Sequence, residues 1–145
     1  MTIDKFKKQG SVLDVAYSLG PEAFSVSTMD SPEKDLILAA NDVAECALAA
    51  AGVDLKTEYR LFSASWAHGE NPGSRVVLEI PTMEGDRARL ALPLISARPI
   101  TKDGEVVDCP RNTYNRAMDA LVAEITAFVV GKRQQMALPF DAPAP

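Results

Sequence analysis

Thr57-Glu58-Tyr59-Arg60-Leu61-Phe62-Ser63-Ala64-Ser65-Trp66 is a predicted central strand, and we interpret the segments on both sides of it as its neighbours. Its residues alternate between two sides with a period of two, which is typical of a strand that buries one face. One side carries Arg60, Phe62, Ala64 and Trp66, and the other carries Tyr59, Leu61, Ser63 and Ser65. The pattern therefore predicts a β-sheet that contains this strand.

Two more strands are predicted at residues 75–80 and 88–95, and turn-forming residues lie between the strands at 69–73 and 83–86. Gly, Pro, Asn and Asp in short connections are typical of turns between antiparallel neighbours. A short fourth strand is predicted at 105–108. The sequence therefore predicts an antiparallel meander of three to four strands.

Helices are predicted before and after these strands. The first begins at Asp30-Ser31-Pro32-Glu33, with Ser31 as the expected N-cap, and Gly52 is its expected C-terminal cap. The last begins at residues 112–113 and ends at Gly131. Each has an apolar stripe at helical spacing. The predicted fold is α+β in helix-strands-helix order, with two helices packed on one face of the sheet.

Three regions follow from this assignment. Residues 1–30 are predicted to be a partly ordered N-terminal lead, in which residues 11–20 fit either an amphipathic helix or a strand. Residues 31–132 form the α+β domain. Residues 133–145 are predicted to be a flexible C-terminal tail, because its prolines disfavour both helix and central strand.

Composition places the chain among globular proteins. It has 145 residues, of which 47% are hydrophobic and 24% are charged, and its net charge is -5. That length is typical of one domain that buries an ordinary core. The sequence has no apolar run as long as a membrane span, and its start lacks the apolar stretch of a signal peptide. We therefore expect a cytoplasmic protein without membrane contact.

No group of residues predicts a catalytic, metal or cofactor site. Cys46 and Cys109 have no CxxC spacing, and Cys46 is expected to pack as a small apolar side chain. His68 is the only histidine, and we interpret it as a solvated loop residue. There is no glycine-rich phosphate loop. A nuclease remains an alternative, although Glu79-Ile80-Pro81-Thr82 lacks a lysine after the glutamate, so Glu79 is better explained as salt-bridged or solvated.

The distribution of charge bears on nucleic acids. Residues 56–102 carry 7 basic and 5 acidic groups, so the middle of an acidic chain is mildly positive. Duplex binding is disfavoured, because phosphate contacts normally require a strong basic surface. Aromatic and basic side chains on the predicted strands are candidates for stacking with and tracking a single strand. The candidate residues are Tyr59, Arg60, Trp66 and Arg89.

The tail contains Gln135-Met136-Ala137-Leu138-Pro139-Phe140. This hexapeptide resembles the bacterial sliding-clamp-binding motif, a short peptide that docks in a cleft on the clamp. The resemblance implies that Gln135 hydrogen-bonds at the rim of the cleft and that Met136 makes the first apolar contact. It further implies that Leu138 and Phe140 fill the hydrophobic pocket, with Pro139 at the spacer position. In such peptides a few large side chains supply most of the binding energy.

The resemblance implies a non-enzymatic accessory or regulatory protein of bacterial or phage DNA replication or repair that docks on the DNA sliding clamp. Two alternatives stay open. The first is a self-associating scaffold domain, for example a homodimer, in which Leu138 and Phe140 fold back as an intramolecular clip. The second is a single-stranded nucleic-acid-binding protein or a nuclease. Hydrogen exchange at these two residues distinguishes a clip from a reachable peptide.

Overall fold

The computed structural model describes residues 1–29, 32–82 and 84–131, and for residues 132–141 it describes the backbone alone. The strands are β1 (Thr2–Gln9), β2 (Val12–Leu19), β3 (Glu22–Thr28), β4 (Arg60–Ala67), β5 (Gly73–Pro81), β6 (Arg87–Ala91), β7 (Ile95–Ser96), β8 (Thr101–Lys102) and β9 (Glu105–Val106), and the helices are α1 (Lys34–Ala51) and α2 (Pro110–Asp141).

The main sheet is antiparallel and has the strand order β3-β2-β1-β4-β5-β6. On the far side of β5, residues 77–81 pair with β6 and residues 73–74 pair with β7. β8 and β9 form a separate hairpin. The α+β class and the antiparallel sheet are confirmed. The predicted number of three to four strands is wrong, because the chain places three strands before α1 and the main sheet has seven.

Residues 1–30, predicted to be a partly ordered lead, contain β1, β2 and β3, and residues 12–19 are a strand. Two-residue turns at Gly10-Ser11 and Gly20-Pro21 join these strands, and each glycine has a φ of +60°. Such a conformation at the first turn position favours glycine and matches the twist of a hairpin. A register shift between Ile3 and Lys5 breaks the period of two in β1, which hides the strand from its sequence pattern.

Both helices lie on the same side of the sheet. α1 packs against α2, β4 and β5, and α2 also contacts β1. The core between the helices and the sheet contains large apolar side chains from every layer. Fully buried members include Phe6, Leu13, Val15, Val43, Val76, Leu78, Tyr114, Leu121, Ile125 and Val129. Burial of each such side chain contributes about 1.5–3 kcal/mol.

The helix ends match the sequence prediction in part. Gly52 caps α1 in the left-handed conformation, and its N–H donates to the Ala49 carbonyl at 3.2 Å, so that prediction is confirmed. The predicted cap residue Ser31 lies outside the described residues, and α1 begins at Lys34 with Glu33 at the N-cap position. α2 continues past Gly131, where its end was predicted.

Asn112 does not cap α2, because the helix begins two residues earlier, at Pro110. Its side chain instead fastens the preceding loop. Oδ1 accepts from the Ile100 N–H at 2.9 Å, and Nδ2 donates to the carbonyls of Ile100 and Val107 at 2.9 and 2.7 Å. Asn112 is buried, so these partners replace water for the amide.

We expect Asn112→Ala to destabilise the fold by about 2–4 kcal/mol, because three hydrogen bonds are lost and loop groups lose their partner. For a chain of this size, that loss lowers the melting temperature by roughly 5–15 °C. Thermal unfolding followed by circular dichroism measures the change. Asn71→Ala, at an exposed residue, is the matched control. Equal melting temperatures for the two variants would contradict the proposed role of Asn112.

Tyr114 joins α2 to the sheet. Its ring is fully buried, and its hydroxyl lies 2.7 Å from Ser74 Oγ on β5. Burial raises the pKa of the Tyr114 phenol, and the hydrogen bond with Ser74 offsets part of that rise. The phenol is therefore neutral at physiological pH.

The raised pKa of Tyr114 predicts a loss of stability in alkali. The contribution of the Tyr114 phenol to the free energy of unfolding is fully present below its unfolded pKa of about 10. It is lost as the pH rises from there through the folded pKa, because the unfolded state then binds fewer protons than the folded state. Urea unfolding at about pH 9 and about pH 11 measures it. We expect Tyr114→Phe to lose less stability between the two pH values than the unsubstituted protein. An equal loss in both proteins would contradict the assignment to Tyr114.

Candidate functional site

Within the described parts of the chain, the helices leave one face of the sheet uncovered, and the strand pairing identifies the residues on that face. Val76 and Leu78 of β5 are buried in the core, so Arg75, Val77 and Glu79 lie on the opposite face. Directly paired residues share a face. The pairs that extend this face across the sheet are Lys5 with Ser65, Lys7 with Ser63, Ser65 with Arg75, Ser63 with Val77, Arg60 with Glu79 and Glu79 with Arg89.

Basic side chains dominate this uncovered face. They are Lys5, Lys7, Arg60, Arg75, Arg87 and Arg89, and we call this group the cationic face. The acidic residues on it are Asp14, opposite Lys7, Glu79, and Asp4, whose carboxylate accepts from Ser18 of β2. Among the described residues the face thus carries six basic and three acidic side chains, in a chain of net charge -5 with fifteen basic and twenty acidic residues. The charges of the molecule are segregated.

Phe62 occupies the middle of the cationic face. It is the additional residue at a register shift in β4, between Leu61 and Ser63. The guanidinium carbon of Arg89 lies 3.9 Å from the ring centroid and Lys7 Nζ lies 5.4 Å from it. Both distances are within the range of cation–π attraction. Phe62 is 6% exposed, so the solvent-accessible surface at this position is formed by the two cations that cover the ring.

A buried carboxylate fixes two further cations. Oε1 of Glu79 accepts from Arg60 Nε at 3.1 Å, from Arg60 Nη2 at 2.6 Å and from Arg87 Nη1 at 2.5 Å. The Glu79 side chain is 6% exposed, whereas those of Arg60 and Arg87 are 48% and 53% exposed. A buried charge is tolerated when it is paired. Glu79 is therefore salt-bridged, as the sequence predicted, and it holds two half-exposed guanidinium groups at the surface.

An open depression of about 240 Å³ lies beside these two arginines. Its lining residues are Glu58, Tyr59, Arg60, Glu79, Pro81 and Arg87. Two positive groups and one buried negative group therefore surround it, and Glu58 adds one exposed negative group from the loop before β4. The charges of its lining residues balance, and the anion-binding groups among them are the two half-exposed guanidinium groups.

The structure separates the four residues predicted to contact a single strand. Arg60 and Arg89 lie in one row of the cationic face, on either side of Glu79. Trp66 pairs with Ser74, whose hydroxyl contacts Tyr114 of α2, so Trp66 lies on the helix-covered face. Tyr59 packs partly against the core and lines the depression. The register shift at Phe62 causes the difference, because it reverses the alternation on which the prediction relied.

His68 is an exposed loop residue after β4, as the sequence predicted, and its half-exposed side chain also contacts β1. Its Nε2 lies 3.2 Å from the Ile3 carbonyl and 3.4 Å from Asp4 Oδ1. Ser18 donates its hydroxyl to the other oxygen of Asp4 at 2.5 Å. The imidazole thus contacts the carboxylate and not the hydroxyl, an order unlike that of a nucleophilic triad, in which the imidazole contacts the nucleophile directly.

Cys46 packs partly against the core, as predicted. Burial raises the pKa of its thiol, and Asp42 and Glu45 raise it further. The thiol is therefore protonated at neutral pH, and a protonated thiol is a poor nucleophile. Among the described residues, no group of three or more His, Cys, Asp or Glu side chains is placed to hold a metal ion. Within the same part of the chain, no helix is long and apolar enough to cross a membrane.

The predicted clamp-binding residues lie outside the described side chains, so their docking role stays a prediction. They are Gln135, Met136, Leu138, Pro139 and Phe140. The backbone of residues 133–141, predicted to be the start of a flexible tail, is helical and continues α2, and residues 142–145 lie outside the described residues. The clamp-binding motif is therefore inferred from the sequence alone, whereas the cationic face is defined by the strand pairing in the structure.

Sequence reasoning missed Lys5 and Lys7, because residues 1–30 were interpreted as a lead. The glycine-containing turns at Gly10 and Gly20, each between segments with β-branched residues, were the signal that could have found the strands. Comparison with protein-family models, curated proteins and solved structures found no match to this chain. Its function therefore has to follow from its own residues.

Proposed function

We propose that this protein is a non-enzymatic accessory factor of bacterial or phage DNA replication or repair that binds single-stranded nucleic acid on its cationic face. One observation carries the proposal. Six basic side chains and three acidic ones share the uncovered face of a sheet in a protein of net charge -5. Cations gathered on one surface attract a polyanion and release its counterions on binding.

A single strand suits this surface better than a duplex. The cationic face spans β1, β4, β5 and β6, and the surface beyond it is acidic, so a rigid duplex extending past it meets repulsion. A flexible single strand can bend to stay on the cationic face and so avoids the acidic surface beyond it. The Arg89 guanidinium on Phe62 adds a planar group on which a base can stack.

The C-terminal peptide Gln135–Phe140 supports the second part of the proposal, which is docking on the bacterial DNA sliding clamp. Gln135 supplies the polar contact, and Met136, Leu138 and Phe140 supply the apolar ones, in the order that the motif requires. The two parts are compatible, because a protein held on the clamp works where single-stranded DNA is exposed. Docking either recruits the protein or blocks other clamp clients.

A self-associating scaffold is the alternative that a specific observation favours. β3 forms one edge of the main sheet, and most of its residues are exposed. Exposed edges are templates for pairing with another chain. Sedimentation at several concentrations separates the proposals, since a scaffold self-associates without nucleic acid and an accessory factor of the kind proposed here binds as a monomer.

Fluorescence polarisation tests the proposed function directly. We expect a labelled single strand to bind at low salt, with a log–log salt slope of about -0.7 for each phosphate contacted. A duplex of the same sequence is expected to bind more weakly at every salt concentration. If the single strand fails to bind at low salt, or if the duplex binds more tightly, the proposal is wrong.

A further inference from the structure

We infer that the depression beside Arg60 and Arg87 is a subsite for one phosphate group of the bound strand. The inference rests on the proposed function and adds a specific place and ligand to it. Two guanidinium groups, those of Arg60 and Arg87, and two carboxylates, those of Glu58 and Glu79, line it. Glu79 is buried and accepts from both arginines, so an anion in the depression meets the half-exposed guanidinium groups rather than this carboxylate.

The orientation of Arg87 leaves a binding edge unused by Glu79. A guanidinium has five N–H donors, and Arg87 gives Glu79 a bond from Nη1 alone. Its Nε and Nη2 donors form the edge that matches two oxygens of a phosphate. Glu79 therefore fixes one end of the guanidinium without occupying that edge.

Burial of Glu79 makes the arrangement preorganised. The carboxylate lies on β5, between Arg60 on β4 and Arg89 on β6 in the same row of the sheet. Oε1 of Glu79 accepts three hydrogen bonds, two from Arg60 and one from Arg87, and these bonds restrict the two guanidinium groups before any ligand binds. Less side-chain freedom is then lost on binding than at an unrestrained surface lysine. Glu79 is thus a positioning residue.

The size of the depression fits a small group of the ligand. At about 240 Å³ it is smaller than most ligand pockets, which are about 300–1,000 Å³. It has room for a phosphate group, and because it is open to solvent the rest of the strand extends beyond it. A phosphate at the end of a strand and a phosphodiester within it present the same oxygens, so the structure assigns the group and experiment distinguishes its source.

Inorganic phosphate tests the subsite without any substitution. We expect titration of the full-length protein to shift the NMR signals of the Arg60 and Arg87 Nε–H groups in a saturable way, because both lie at the depression. Arg75, which shares the cationic face but does not line the depression, is the internal control. Sodium chloride at equal ionic strength is the control for screening. The subsite is excluded if Arg60 and Arg87 do not respond, or if Arg75 responds equally.

Strand binding then identifies the source of the phosphate. Three oligonucleotides of one sequence are compared, carrying a 5′-phosphate, a 3′-phosphate or hydroxyl groups at both ends. Capture of a terminal phosphate is expected to tighten binding of one phosphorylated strand about tenfold over the hydroxyl strand. Capture of an internal phosphate gives equal binding of all three, and Arg87→Gln then weakens all three about tenfold.

Arg87→Gln is the decisive variant, since glutamine retains an N–H donor for Glu79 and removes the charge. Arg75→Gln is its matched control on the same face. The subsite is supported if Arg87→Gln abolishes the end-phosphate preference, or weakens all strands more than Arg75→Gln does. It is overturned if the two variants behave alike while strands still bind, a result that leaves the proposed function intact. Failure of every strand to bind rejects the proposed function, and the inorganic phosphate titration still decides the subsite.

Discussion

Reversing the charge of Lys5 and Arg75 together is expected to weaken single-strand binding about a hundredfold at about 0.1 M salt. Both side chains are exposed, and both pair with Ser65 from opposite sides, so they form one row of the cationic face. Each substitution to Glu removes an attraction of about 1 kcal/mol and adds a repulsion of similar size, before screening reduces both. The salt slope should also decrease in magnitude by about 1.4, for two lost phosphate contacts.

Lys5 and Arg75 differ from the other four residues of the cationic face in their contacts. Lys7 and Arg89 cover Phe62, and Arg60 and Arg87 neutralise Glu79, so reversing the charge of any of these four to Glu also disturbs packing or leaves a buried charge beside a like charge. Lys56→Glu/Lys102→Glu makes the same change in net charge at exposed residues outside the face. Fluorescence polarisation with one labelled strand compares the two double variants. Equal weakening by both would show an effect of net charge alone and contradict a localised binding face.

Loss of clamp binding in Leu138→Ala/Phe140→Ala is the second large effect that we expect. Short motifs usually bind in the micromolar range, at about -8 kcal/mol, because fixing the peptide in its docked conformation costs conformational entropy. The two substitutions remove side chains whose burial contributes roughly 1.5–3 kcal/mol each. Affinity for the bacterial sliding clamp should therefore fall at least a hundredfold, to the limit of detection by calorimetry.

Gln135→Ala is the graded control for the clamp experiment. It removes about one hydrogen bond, worth 0.5–1.5 kcal/mol, so binding should weaken by about tenfold or less. The same proteins are tested for single-strand binding, which none of these substitutions should change if tail and cationic face act independently. No heat with the unsubstituted protein, or equal binding by the double variant, would reject clamp docking and favour the scaffold alternative.

Several elements of the fold were predictable from their sequence patterns. β4 and β5, the glycine cap of α1 and the α+β class follow from alternation, helical spacing and turn residues. β1 was not predictable in this way, since the register shift between Ile3 and Lys5 places Ile3 and Phe6 on the same face at a spacing of three. A period of two does not detect such a strand.

The candidate site was predictable in its charges and not in its geometry. The excess of arginine in residues 56–102 is visible in the sequence, and the structure places two of the predicted contact residues, Arg60 and Arg89, in one row on either side of Glu79. Trp66 was placed on the wrong face, because one additional residue in β4 reverses every side chain that follows it. The contribution of Lys5 and Lys7 required knowledge that β1 pairs with β4, and that pairing spans some sixty residues of the chain.

Chemical-shift mapping of the full-length protein with a single-stranded oligonucleotide tests the central claim most directly. We expect the largest amide shifts at residues of β1, β4, β5 and β6 on the cationic face, with Lys5, Arg75 and Arg89 among them. Amides of the exposed side of α1 should stay unchanged, since the helices lie on the other side of the sheet. Shifts concentrated on the helices, or no saturable shift at low salt, would contradict binding of a strand on the uncovered face.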